Sequence, residues 1–136
     1  MDIQKKALKL AISLFNPNLD KEQHHFSFLF DKNKLISVGF NDYNLSAKAL
    51  KFAELFNVEQ KKNYPYLHSE IHSISRVWGK VYIDKRIRLV NVRIIRSGQI
   101  GLAKPCPDCA QVLNALGLTK IWWTKFGGDF TNKETI

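Results

Sequence analysis

The chain has few of the residues on which several common classes of protein depend. Its 136 residues include only two cysteines, Cys106 and Cys109. Both belong to one Cys-x-x-Cys unit, which excludes a framework of several disulfides. No apolar run approaches the roughly 18 residues that cross a membrane as a helix. With no internal repeat, low-complexity segment or linker, the sequence predicts one domain over residues 1–136 and no membrane partner.

Acidic residues are also scarce, because 12 Asp and Glu stand against 21 Lys and Arg, giving a net charge of +9. This excess favours anionic partners such as nucleotides, RNA or DNA. A solvated basic surface explains the same excess, since the basic residues are spread along the chain. The N-terminal segment lacks the apolar run of a signal peptide. We therefore expect a cytoplasmic protein, in which the two thiols stay reduced.

The hydrophobic pattern predicts helices that alternate with strands. Phenylalanines at 26, 28 and 30 indicate a strand, residues 31–34 a turn, and residues 35–40 a return strand. Apolar residues at helical spacing predict helices over 3–15, 46–56, 68–78 and 106–116. Runs of β-branched and aromatic residues predict further strands at 87–95 and 121–124. This order predicts an α/β fold, in which helices cover a sheet.

The segment after the strand at 121–124 constrains the topology of the sheet. Gly127 and Gly128 follow almost at once, and a parallel return strand needs a crossover of about a dozen residues. There is no room for such a crossover. A strand within 130–135 must therefore return antiparallel through the glycine turn.

Two short motifs carry the chemistry of the chain: His68-Ser69-Glu70 and Pro105-Cys106-Pro107-Asp108-Cys109. One imidazole and two thiolates suit zinc, and three protein ligands leave the fourth tetrahedral position open to water. Each motif is predicted to begin a helix, whose N-terminus stabilises a thiolate. The carboxylate of Glu70 is then available to carry protons. The motifs predict a catalytic Zn²⁺ site with ligands His68, Cys106 and Cys109.

Three other interpretations of these motifs remain open at this stage. The Cys-x-x-Cys unit could be a redox pair beside an unrelated histidine and glutamate. The zinc site could be closed and structural, with His72 or another residue as the fourth ligand. His72 shares the helix face of His68, but such a residue is more often a packing histidine, so we exclude it from the predicted site. The chain could also be a non-catalytic zinc-binding module, against which an intact Glu70 argues. The order His-Ser-Glu-Ile-His differs from the metalloprotease pattern His-Glu-x-x-His.

The two motifs resemble the zinc deaminase signature, and the chain is similar to the cytidine deaminase-like superfamily over roughly residues 26–124. The resemblance implies a three-layer α/β/α sandwich around a mixed five-stranded sheet. It implies a hydrolase that deaminates cytosine to the uracil product, with zinc on His68, Cys106 and Cys109 and with Glu70 as general acid/base. Lys104 stands where many relatives have Glu or Ser. The sequence Lys104-Pro105-Cys106 looks more like that of divergent viral and bacterial members.

The resemblance also suggests where the substrate binds. Family members commonly carry an Asn after the second strand that contacts the sugar, and Asn41 ends a similar segment. A turn-forming asparagine is the alternative role for Asn41. Lys104, beside the metal motif, favours an anionic substrate. The predicted antiparallel end of the sheet resembles the branch that acts on free nucleosides, so a free cytosine nucleoside or nucleotide is our leading hypothesis.

The alternative substrate is a base in single-stranded DNA or RNA. Tyr64, Tyr66, Trp122 and Trp123 would then stack on bases, although at least one of the two adjacent tryptophans is expected in the core. Many relatives assemble, and Trp78 or Trp122 would suit the interface of a homo-oligomer. The sequence leaves open both the oligomeric state and the choice between cytosine and adenine.

Overall fold

The structure is a computed structural model that describes residues 2–18, 23–41 and 68–132. The elements in chain order are α1 (Ile3–Leu14), β1 (Gln23–Asp31), β2 (Lys34–Phe40), α2 (Ser69–Val77), β3 (Ile87–Ile95), β4 (Ile100–Gly101), α3 (Pro107–Ala115), β5 (Lys120–Thr124) and β6 (Phe130–Asn132). The helix predicted at 46–56 lies outside the described residues, as do Tyr64 and Tyr66. In the described segments, no helix has both the length and the apolar character of a membrane span.

The strands form one mixed sheet in the order β2-β1-β3-β5-β6, and β4 also pairs with β3. The β3–β5 pair is parallel, whereas the other pairs are antiparallel. The predicted antiparallel return is confirmed, since Phe130 pairs with Thr124. Gly127 and Gly128 make the turn with φ of 93° and 104°, a conformation that glycine adopts at little cost. The two-residue β4 raises the strand number to six, one more than the resemblance implies.

Helices cover both faces of the sheet, which confirms the three-layer α/β/α sandwich. Successive side chains of a strand point to opposite faces. Phe28 of β1 therefore packs against α1 at Ala7, while its neighbour Leu29 packs on the other face with the α2 and α3 residues Ile74 and Leu113. Each large apolar side chain buried in these two clusters stabilises the fold by about 1.5–3 kcal/mol.

The two adjacent tryptophans of β5 are both used in packing. Trp123 is 2% exposed and lies in the cluster under α2 and α3. Trp122 is half-buried and packs on the α1 side. The expectation that at least one of them belongs to the core is confirmed.

Candidate metal and catalytic site

The two motifs begin two helices, as their prolines and periodicity predict. His68 is the N-cap residue of α2, and Cys106 is the N-cap residue of α3. Cys106 Sγ accepts a hydrogen bond from the backbone N–H of Cys109 at 3.4 Å, which caps the first turn of α3. Pro107 occupies the start of that helix, where a missing N–H costs nothing.

The three predicted ligands meet at these helix starts. The ligand atoms of His68, Cys106 and Cys109 all lie within 4.8 Å of one another. Cys106 Sγ lies 3.8 Å from His68 Nδ1. Tetrahedral zinc with ordinary bond lengths would place a nitrogen and a sulfur ligand about 3.6 Å apart, so the donor set and its spacing fit zinc. Across the described ranges, this is the single group of three or more such side chains that could hold a metal ion.

His72 does not join this group, in agreement with its exclusion from the predicted site. Its Nδ1 accepts a hydrogen bond from the backbone N–H of Phe40 at 3.1 Å. Its ring packs edge-on against the ring of Phe40, with the centroids 4.8 Å apart. His72 thus links α2 to the end of β2, and it is not one of the three candidate ligands found among the described residues.

The two thiols have opposite electrostatic environments. A hydrogen bond from the thiol of Cys109, assisted by one from His68, lowers the pKa of Cys106 to about 4. The same hydrogen bond with Cys106 raises the pKa of Cys109, and burial and the charge of Glu70 raise it further. Without a metal, the negative charge of the pair therefore resides on Cys106. A bound dication would take both side chains as thiolates.

A cavity of about 140 Å³ borders this group. Its lining includes Asn41, Glu70 and Lys104, which the sequence singled out separately, together with His68 and Cys106. Glu70 is 6% exposed and comes from the first turn of α2. The cavity thus brings five of the six predicted site residues together, and the sixth, Cys109, belongs to the adjoining ligand group.

Asn41 is held firmly at the cavity wall. Its Oδ1 accepts a hydrogen bond from the backbone N–H of His25 at 3.1 Å. Its own N–H donates to the carbonyl oxygen of His25 at 3.2 Å. Asn41 is buried, whereas Lys104 is exposed at the mouth of the same cavity.

Sequence reasoning missed His25, which also lines the cavity, and a set of buried polar side chains behind Glu70. Ser69 Oγ donates to Glu70 Oε1 at 2.8 Å. Ser27 Oγ lies 2.7 Å from Ser69 Oγ and 2.6 Å from Asn91 Oδ1. Asn91 Nδ2 donates to the carbonyl oxygen of Ala103 at 3.3 Å, so the set joins the two motifs.

A signal for two of these residues was present in the sequence. Ser27 stands between phenylalanines of β1, and Asn91 stands in the middle of the apolar β3. A polar residue in an otherwise apolar strand is costly to bury unless it has a hydrogen-bond partner. His25 gave no comparable signal, because the start of a strand tolerates polar residues.

Comparison with family models gives no match to this chain, and comparison with curated proteins gives none either. Solved structures do match. The dCMP deaminase from the cyanophage S-TIM5, in apo form, has a TM-score of 0.54 and 17% identity, covering 90% of this chain and 79% of its own. Cytidine deaminase from Mycobacterium leprae has a TM-score of 0.49 and 18% identity, covering 96% of this chain and 89% of its own.

A mutant cytidine deaminase from Mycobacterium tuberculosis follows, with a TM-score of 0.45 and 16% identity, covering 91% of this chain and 85% of its own. At these identities the likeness concerns the fold, and it is the cyanophage structure that carries it. That likeness agrees with the mixed sheet, the two helix layers and the paired helix starts described above. The chain therefore shares its fold with the cyanophage dCMP deaminase.

Proposed function

We propose that this protein is a zinc-dependent hydrolase that deaminates cytosine in a free nucleoside or nucleotide. One observation carries the proposal: Glu70 lines the same small cavity that borders the three-ligand group His68, Cys106 and Cys109. A redox Cys-x-x-Cys pair would need neither the histidine beside Cys106 nor a buried carboxylate facing the cavity. A structural zinc site would need a fourth protein ligand, and the group contains three among the residues that the structure describes.

The residues would divide the reaction between them. His68, Cys106 and Cys109 would hold Zn²⁺, which supplies Lewis-acid activation of a water molecule. Glu70 would take a proton from that water as its oxygen adds to carbon 4 of the ring. Glu70 would deliver this proton to the ring nitrogen. It would then take the second proton from the hydroxyl group now on carbon 4 and deliver it to the amino group, so that the carbon–nitrogen bond breaks and ammonia departs. Water thus replaces the amino group, and the ring becomes uracil.

The remaining wall of the cavity supports a small substrate. Asn41 and His25 would orient the sugar or the base, and the exposed ammonium group of Lys104 would contact a phosphate. The antiparallel β6 agrees with the free-nucleoside branch that the resemblance suggests. The packing of Trp122 and Trp123 removes two of the aromatic residues that would have stacked on a polynucleotide. The two cysteines form no disulfide with each other, and a reducing compartment such as the cytoplasm would keep both thiols available to a metal.

The test is a product assay with purified, zinc-loaded protein. Cytidine, deoxycytidine, their monophosphates and single-stranded DNA and RNA oligonucleotides are incubated separately, and uracil products are measured by mass spectrometry. We expect turnover of a free cytosine substrate and its loss in Glu70→Gln, with zinc still near one ion per chain. Turnover confined to an oligonucleotide would contradict the free-substrate assignment, and full activity of Glu70→Gln would contradict the mechanism.

A further inference from the structure

Ser69 differs from the other buried serines of α2 in the group to which its hydroxyl donates. Ser73 Oγ donates to the backbone carbonyl of Glu70 at 2.8 Å, and Ser75 Oγ donates to that of His72 at 2.9 Å. Both follow the common pattern in which a helical serine bonds the carbonyl of the preceding turn. Ser69, at the first position of α2, has no such carbonyl within its helix. Its hydroxyl instead donates to the carboxylate of Glu70.

The direction of that hydroxyl depends on what lies behind it. Ser69 has one proton, and Ser27 Oγ is 2.7 Å from its oxygen. Ser27 also has one proton, and it lies between two acceptors, Ser69 Oγ at 2.7 Å and Asn91 Oδ1 at 2.6 Å, which share it as a three-centre hydrogen bond. Because Ser69 accepts from Ser27, the proton of Ser69 is directed at Glu70 Oε1. Ser69 is 2% exposed and Ser27 is fully buried, so water does not replace either partner.

Asn91 connects this set of buried polar side chains to the segment that carries the two cysteines. Its Nδ2 donates to the carbonyl oxygen of Ala103, and the N–H of Ala103 donates to the carbonyl oxygen of Thr124 at 2.9 Å. Ala103 and Lys104 lead directly into the Pro105–Cys106 segment and line the same cavity as Glu70. Buried hydrogen-bonded side chains therefore connect Glu70 to the backbone segment that precedes Cys106.

We propose that Ser69 is a positioning residue for Glu70, and that Ser27 and Asn91 hold Ser69 in the orientation that this requires. Ser69 fixes Oε1 of the carboxylate, which leaves the other oxygen to face the cavity. This inference rests on the proposed function, because it assigns Glu70 the role of proton carrier. It predicts that the hydroxyl acts on the chemical step and not on zinc or on substrate affinity.

The test compares Ser69→Ala, Ser27→Ala and the double variant with Ser75→Ala as a matched control. Ser75 is equally buried on α2 but bonds only helix backbone among its described contacts. We expect Ser69→Ala to lower kcat by about tenfold to 100-fold, the loss expected for one hydrogen bond to a charged group. KM and zinc content should stay close to those of the wild type. Ser75→Ala should keep the kcat of the wild type.

The double variant separates positioning from simple packing. If Ser27 acts through Ser69, the double variant should be no slower than Ser69→Ala, whereas independent packing defects would multiply. A normal kcat in Ser69→Ala, or equal losses in Ser75→Ala and Ser69→Ala, would overturn the inference.

A structural readout keeps this test separate from the test of the activity itself. Crystal structures of the wild type and Ser69→Ala should show the Glu70 carboxylate displaced or rotated in the variant. If the wild type turned over none of the substrates, the proposed function would fail, and these structures would still decide whether Ser69 positions Glu70. An unmoved carboxylate in Ser69→Ala would overturn the positioning role.

Discussion

Gly39 of β2 lies directly against the first turn of α2, so that a Cβ on Gly39 would come within 2.3 Å of the carbonyl oxygen of Ser69. The same Cβ would lie 2.3 Å from the backbone nitrogen of Ser73. Both contacts are to backbone, which cannot rotate away as a side chain would. The absence of a side chain at Gly39 thus lets α2 approach the sheet closely enough for Ser69 to reach Ser27, and it sets the depth of Glu70 in the cavity.

Gly39→Ala is therefore expected to be disproportionately harmful for a one-carbon change. Overpacking of this kind costs about 1–3 kcal/mol, and here it also shifts the helix that carries His68 and Glu70. We expect a lower free energy of unfolding in urea and a lower kcat. The matched control is Gly101→Ala, whose Cβ would meet the flexible Arg93 side chain at 3.3 Å. Equal stability of the two variants would contradict this account of the packing.

His68→Asn and His72→Asn should separate the metal ligand from the packing histidine. We expect His68→Asn to lose most of its zinc, because two cysteines alone do not complete the site. His72→Asn should retain about one zinc ion per chain but melt at a lower temperature, since it loses its packing on Phe40. Elemental analysis and thermal unfolding measure the two effects. If His72→Asn lost its zinc while His68→Asn retained it, the proposed ligand set would be wrong.

The two tryptophans of β5 should differ in their contribution to stability. Trp123→Ala is expected to cost about 3–5 kcal/mol, because the side chain is 2% exposed and the substitution leaves a cavity under α2 and α3. Trp122→Ala should cost less, since Trp122 is only half-buried. Urea denaturation of both variants gives the comparison. A larger loss of unfolding free energy in Trp122→Ala than in Trp123→Ala would show that Trp122, and not Trp123, is the more buried of the two.

Lys104→Ala should report whether the substrate carries a phosphate. If Lys104 contacts a phosphate, kcat/KM for the cytosine monophosphate should fall by about tenfold in the variant. This is the lower end of the loss expected for a hydrogen bond between charged groups, because Lys104 is exposed. Values for the unphosphorylated nucleoside should not change. Lys120→Ala removes an exposed lysine that does not line the cavity and is the control. Equal losses for both substrates would exclude a phosphate-specific role.

The unequal thiols predict selective alkylation of metal-free protein. At pH 6 Cys106 is a thiolate, because its pKa is about 4, while the pKa of Cys109 is raised and its side chain is buried. Iodoacetamide should therefore label Cys106 first, as peptide mass spectrometry would show. Labelling of Cys106 should slow as the pH falls below about 4, where Cys106 gains its proton. Added zinc should slow the labelling of both residues, and first labelling of Cys109 would contradict the assignment.

Much of the site was determined by local sequence. Pro107 and the helical periodicity that follows it placed Cys106 at a helix start, and ligand chemistry then identified His68 and Cys109 as its partners. The glycine pair after β5 predicted the antiparallel β6, because the short connection between Thr124 and Phe130 cannot hold a crossover. The helix start and the turn depend on interactions between residues close in sequence, which can be inferred without knowing the fold. His68 was joined to the cysteines only by the chemistry of the ligand set.

Tertiary structure alone decided what surrounds those ligands. Strand pairing of β1 with β3 sets Ser27 opposite Asn91, and the close approach of α2 over Gly39 brings Ser69 onto Ser27. His25 reaches the cavity because the start of β1 lies beside Asn41, which follows β2. None of these partners is near the others along the chain, so no local pattern records their contact. The sequence by itself determined which atoms can bind a metal and carry a proton, whereas only the packed sheet decided how the proton carrier is held.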